Sequence, residues 1–118
     1  MNALFFPVNE RLRRQFAEKS NVVGPWIEKQ LDIVASIGIG VHKSLEDALS
    51  KLRACKTGVE AFRPHIDELE LYHQAEQEAI IVDNKYTKYT METLRVGWEQ
   101  LLTSINRNIN EVENQVNN

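Results

Sequence analysis

At 118 residues the chain is long enough to bury one hydrophobic core without disulfides or metals. Apolar residues make up 42% and charged residues 26%, too apolar for a disordered segment. A formal charge of −3 with no basic stripe argues against a nucleic-acid partner, and five glycines and three prolines are too few for the recurrent turns of an all-β fold. Cys55 is the sole cysteine, which excludes an internal disulfide or a multi-cysteine zinc site and suits a reducing compartment.

The opening residues Met1 to Val8 are apolar but lack a basic n-region and a small-residue cleavage site. Their apolar run is also far shorter than the roughly 20 residues that span a bilayer, so neither a signal nor membrane insertion is expected. Pro7 disfavours a helix there, and residues 1–8 are expected to form a mobile tail.

A first helix is predicted over 9–37, where Phe16, Val23, Trp26, Ile27, Ile33, Val34 and Ile37 recur at helical spacing. Pro25 inside it predicts a bend or a local irregularity. Gly38 and Gly40 suit the helix end that follows. A second helix is predicted over 44–81, opened by Ser44 as N-cap with Glu46 and Asp47 in the first turn. Leu45, Leu49, Leu52, Val59, Phe62, Ile66, Leu69 and Ile80 mark its apolar stripe, with His73 on the same stripe; Gly58 and Pro64 interrupt it, which predicts one bent long helix rather than two elements. Asp83-Asn84-Lys85 reads as the next turn.

A third helix is predicted over 87–116. Met91, Leu94, Trp98, Leu101, Ile105, Val112 and Val116 keep a heptad rhythm, slipping only where Asn108 stands beside Ile109. Three such helices joined by short connections must alternate in direction. The expected fold is an all-α, antiparallel up-down-up, left-handed three-helix coiled-coil bundle. Its predicted core is Phe16, Val23, Trp26, Ile27, Leu49, Leu52, Val59, Phe62, Ile66, Leu69, Met91, Leu94, Trp98, Leu101, Ile105 and Val112.

No arrangement of residues carries chemistry. Gly38-Ile39-Gly40 follows no strand and lacks the Gly-Lys-Ser/Thr ending of a phosphate loop. His42, His65 and His73 are not spaced to share a metal ion. Glu68, Glu70, Glu76 and Glu78 read as a solvated helix face rather than paired acid-base groups. Cys55 has no base or basic cluster beside it in sequence and reads as a packed thiol. Trp26 and Trp98 are expected to meet across the bundle. No catalytic group, metal or cofactor is expected.

Several strings are family-specific: Asn-Glu-Arg-Leu-Arg-Arg-Gln-Phe (9–16), Asn-Val-Val-Gly-Pro-Trp-Ile (21–27), Tyr-Thr-Met-Glu (89–92), Arg-Val-Gly-Trp-Glu-Gln-Leu-Leu (95–102) and Ile-Asn-Glu-Val-Glu-Asn-Gln (109–115). With one tryptophan in each outer helix, they make residues 9 to about 116 resemble a spectrin repeat, and more narrowly the fourth, last rod repeat of the α-actinins. The resemblance stops at both ends, and the actin-binding and calcium-binding modules of that family have no counterpart here, which reads as a fragment. It implies a structural role in the cytoplasmic actin cytoskeleton, with the repeat lying beside the first rod repeat of an antiparallel partner chain and setting the spacing of a cross-linker. It also implies a vinculin-type partner site on the third helix at Leu101, Leu102, Ile105, Ile109, Val112 and Val116, hidden until that helix is released. The alternative is a free-standing bundle that acts as an adaptor for amphipathic helices.

Overall fold

The computed structural model describes residues 5–38 and 43–117. It comprises α1 (Phe5–Gly38), α2 (Leu45–Glu78) and α3 (Met91–Val116), with no strand among the described residues. The three run up, down and up in a rod of 69 × 19 × 18 Å, each packed on the other two. The expectations at Gly40 and His42 fall outside the described residues, as does the start of the tail.

α1 begins at Phe5, four residues ahead of the predicted start, with Pro7 in its first turn. Proline is tolerated there because the first N–H groups of a helix have no intrahelical acceptor to lose. Pro25 and Pro64 also leave α1 and α2 unbroken. Both rings sit on exposed positions, so the backbone carbonyls that lose a partner four residues earlier are open to water.

Both later helices are capped by side chains. Ser44 Oγ accepts from the Asp47 N–H (3.0 Å), while the Asp47 carboxylate accepts from the Lys43 N–H (3.0 Å). That bond, and the Lys51 ammonium beside it, hold the Asp47 carboxyl below its usual range. Thr90 and Thr93 form a reciprocal capping box, each side chain accepting from the other's N–H at 3.1 Å. α3 therefore starts at Met91 rather than at Thr87.

α2 ends at Glu78, earlier than predicted. The Ile81 N–H bonds the Glu76 carbonyl (2.8 Å) and the Ile80 N–H bonds the Gln77 carbonyl (3.0 Å), the paired pattern of a Schellman terminus. Its left-handed position is filled by Ile80 at φ 57°, where glycine is usual. Ile80, predicted on the stripe, is instead 83% exposed, because the chain leaves the helix one turn too soon for it to reach the seam.

One continuous core runs between the helices. Phe16, Val23, Ile27, Leu52, Val59, Ile66, Leu69, Met91, Leu94, Trp98, Leu101 and Ile105 are buried in it, and Trp26, Leu49, Phe62 and Val112 pack against it half-buried. Val34 and Ile37 are also buried, but Ile33, assigned to the same stripe, is exposed. Adjacent residues on a helix point about 100° apart, so Val34 takes the inward place and Ile33 cannot share it.

The glycines divide sharply. A Cβ on Gly24 would lie 2.3 Å from the Tyr89 ring, whereas one on Gly58 would meet nothing within 4 Å. Gly24→Ala should therefore cost roughly 1–3 kcal/mol through overpacking, while Gly58→Ala should stabilise by roughly 0.5–1 kcal/mol through helix propensity. Ile80→Gly should stabilise by roughly 0.5–1 kcal/mol by relieving the left-handed backbone. Urea denaturation of the three variants checks the signs.

Candidate interaction site

The centre of the bundle is an aromatic stack. The Trp26 ring lies on Phe62 (centroids 3.6 Å apart, 8° between planes), and Trp98 lies 6.4 Å from Trp26. The tryptophans of α1 and α3 thus meet, with Phe62 of α2 completing the layer. His65 tilts against Phe62 at 4.5 Å, and its Nδ1 accepts from the Lys19 ammonium (2.7 Å). Lys19 also pairs with Glu68 at 2.8 Å, and Glu68 accepts from the Tyr72 hydroxyl at 2.5 Å. Both bonds hold the Glu68 carboxyl below its usual range, Lys19 chiefly.

The α2–α3 connection, residues 79–90, is longer than the predicted turn and is held against α1 by polar contacts. Asn84 Nδ2 donates to the Arg13 carbonyl (2.7 Å) and to Glu76 (3.2 Å), and Arg13 Nε donates to the Asp83 carbonyl (3.3 Å). The Tyr86 hydroxyl donates to Glu10, beneath an Arg14 guanidinium 4.9 Å from the ring. Ser20 Oγ donates to Thr87 Oγ1 (2.9 Å), Thr87 donates to Asn21 (2.7 Å), and Tyr89 donates to Glu28 (3.1 Å). The three tyrosines each end on a glutamate.

The acidic run of α2 is not one solvated face. Glu70 takes a bidentate pair from Arg95 of α3 at 2.6 and 2.7 Å, and Glu78 is exposed. Glu76 is only 6% exposed, because the connection folds over it. Burial pushes its carboxyl above the usual range, against the weaker opposing pull of Asn84 and Arg13. The sequence offered no signal for this, since the covering residues lie in an irregular segment.

Other singled-out residues stay apart. His73 is half-buried against Phe16 at 6.2 Å and lies far along α2 from Cys55, whose half-buried thiol is pushed up by desolvation. Among the described residues no group of three or more His, Cys, Asp or Glu is placed to hold a metal, and no helix is long and apolar enough to cross a membrane.

The expected partner face of α3 is mostly interior. Leu101, Ile105 and Ile109 are buried, Leu102 and Val112 are half-buried, and only Val116 is exposed. A partner could reach this face only by taking α3 away from α1 and α2. What α3 does present outward is a different line, Glu92, Val96, Glu99 and Thr103, with Val96 57% exposed. That line borders a groove against α1, lined by Gly24, Glu28, Leu31, Tyr89, Val96 and Gln100.

The three-helix geometry agrees with comparison to known proteins. The spectrin-repeat family model matches residues 11–114. The chain belongs to the spectrin-repeat family. This repeat is 67% identical over 108 residues to sarcomeric α-actinin of Drosophila melanogaster and 66% identical to α-actinin of Dermatophagoides farinae. It is 56% identical to human α-actinin-1. In each case the match covers 92% of this chain and 12% of the relative. The spectrin repeat here therefore spans about one eighth of the length of those curated proteins.

The buried carboxylate gives this repeat a testable pH signature. A raised carboxyl favours the protonated form in the folded state, so its contribution is present below about pH 4, near the ordinary glutamate value, and is lost as pH rises through the raised one. Glu76→Gln should be more stable than the native chain at pH 7, with the gain shrinking as pH falls towards 4. Thermal melts across that range check the convergence.

Proposed function

We propose that the chain is a structural rod repeat of an α-actinin-like actin cross-linking protein and takes the fourth, last place in the rod. The observation that carries this reading is the 67% identity to sarcomeric α-actinin over 92% of the chain. A bundle whose seam is filled along a 69 Å rod suits spacing and load-bearing rather than catalysis. In this role the repeat lies beside the first rod repeat of an antiparallel partner chain, in the cytoplasmic actin cytoskeleton, with no enzymatic activity and no cofactor.

Adaptor docking follows from α3. Leu101, Leu102, Ile105, Ile109, Val112 and Val116 make one apolar stripe that a vinculin-type helical bundle would accept once α3 is released. Their burial supports a cryptic site, since the energy that holds the seam closed also sets the cost of exposing it.

Two measurements test the reading. In analytical ultracentrifugation the chain should sediment as a monomer alone and form a one-to-one complex with a first rod repeat of α-actinin. A stable homodimer, or indifference to that repeat, would refute the rod assignment. For the cryptic site, Leu52→Ala in α2 removes a fully buried side chain without touching α3 and should destabilise the bundle by roughly 2–5 kcal/mol. Vinculin head should bind this variant more tightly than the native chain. Equal or absent binding to both argues against a releasable helix.

A further inference from the structure

The groove between α1 and α3 is not accounted for by the core or by the stripe assigned to vinculin. Its floor is apolar: Ile27, Leu31, Leu94 and Val96 line it, with Gly24 and Gly97 at its narrow points. A Cβ on Gly97 would come within 3.1 Å of the Ile27 side chain, so this glycine lets the two helices approach closely and leaves the floor shallow. Glycine in a helix interior costs about 1 kcal/mol relative to alanine, and Val96, beside it, is 57% exposed. The groove continues along α3 past Gln100 and Thr103 to Arg107. From Thr93 to Arg107 the lining residues of α3 span about 21 Å at 1.5 Å per residue, with Leu31 of α1 opposite them.

Three carboxylates are spread along its rim, with Arg95 and Arg107 also lining the distal half. Glu28 of α1 and Glu92 and Glu99 of α3 border it. Among the described residues none of the three forms a salt bridge; Glu28 accepts only the Tyr89 hydroxyl. Arg95, the cation that feels Glu92, is committed to Glu70 by two hydrogen bonds. Lys88, over the Tyr89 ring, and Arg107 stand at opposite ends. Glu92 also serves the positive end of α3, but Glu99 sits two turns further on, where no helix dipole explains it.

We propose that the α1–α3 groove docks a basic amphipathic helix, its apolar face on Leu31, Val96 and Gly97 and its lysines or arginines against Glu28, Glu92 and Glu99. The length of the groove, its apolar floor and three rim carboxylates that form no salt bridge among the described residues together select this occupant: a strand would find no edge to pair with, and an acidic helix would meet like charge on both rims. The site uses surface that the folded repeat already presents, so it needs no release of α3. It goes beyond the rod assignment and holds whether the repeat works in a rod or alone.

The test uses the whole chain, isotope-labelled, and a synthetic leucine-lysine helix of about 18 residues, roughly 27 Å long. Amide and methyl shifts on titration should cluster at Leu31, Val96, Gly97 and Gln100 and collapse in high salt. The double variant Glu92→Lys/Glu99→Lys should weaken binding about tenfold or more, with its circular dichroism unchanged. Val96→Lys, which puts a cation on the apolar floor without touching the core, should abolish the shifts. Perturbations elsewhere, equal binding of a leucine-glutamate helix, or an unaffected double variant would each overturn the proposal. Competition by the first rod repeat for the same resonances would assign the groove to the partner repeat and also overturn it. Failure here leaves the sedimentation result untouched, so the two readings fail separately.

Discussion

A bundle this slender holds together only if three helices share one seam, and the side chains of α3 carry that constraint. Met91, Leu94, Trp98, Leu101, Ile105 and Ile109 follow one another in steps of three and four, all buried. Each fills a gap between α1 and α2 that neither could close alone, since two helices leave an open trough along their contact. The stack of Trp26, Phe62 and Trp98 is an aromatic layer of this seam that draws on all three elements. Gly97, against Ile27 of α1, follows from the same demand for close approach, while Gly24 makes room for the Tyr89 ring of the connection.

The two halves of the rod are secured differently. Towards the α2–α3 connection, polar side chains of residues 83–89 reach α1 through Arg13, Ser20, Asn21, Glu10 and Glu28. These bonds fix a segment without regular structure and bury Glu76 beneath it. Towards the other end, α3 meets its neighbours through apolar contact, with Asn108 bonded to its own helix at the Ser104 carbonyl (2.7 Å) and Arg53 reaching Glu113 at 3.5 Å. The groove beside Val96 lies between these regions, on the side of α3 that faces away from the seam.

Much of this was legible in the chain itself. The heptad steps of α3 and the cap at Ser44 are local signals, dictated by helical geometry and by unsatisfied backbone groups, whereas periodicity alone starts the third helix at Thr87 and misses the capping box at Thr90. The twelve buried positions of the expected core came from the same periodicity. Where reading by period went astray, a neighbour decided: Ile33 lost its place to Val34, and Ile80 left the helix at a left-handed residue that no glycine announced. Pro7 reads against a helix, and Pro25 and Pro64 as bends within long helices; all three lie within helices, Pro25 and Pro64 at exposed positions where water can reach the carbonyls they leave unpaired.

Family-specific strings in the sequence also pointed to the spectrin repeat, in keeping with the family match over residues 11–114 and the 67% identity to sarcomeric α-actinin. The sequence by itself determined the helices and the face each turns inward, since periodicity is a property of a single segment. Only the tertiary structure decided which polar groups the connection buries, why Gly24 tolerates nothing larger, and where unpaired carboxylates line an apolar groove. Those features depend on segments distant in the chain meeting in space, as Arg13 and Asn84 do 71 positions apart. Burial and charge compensation are properties of the assembled surface, and no stretch of sequence carries them alone.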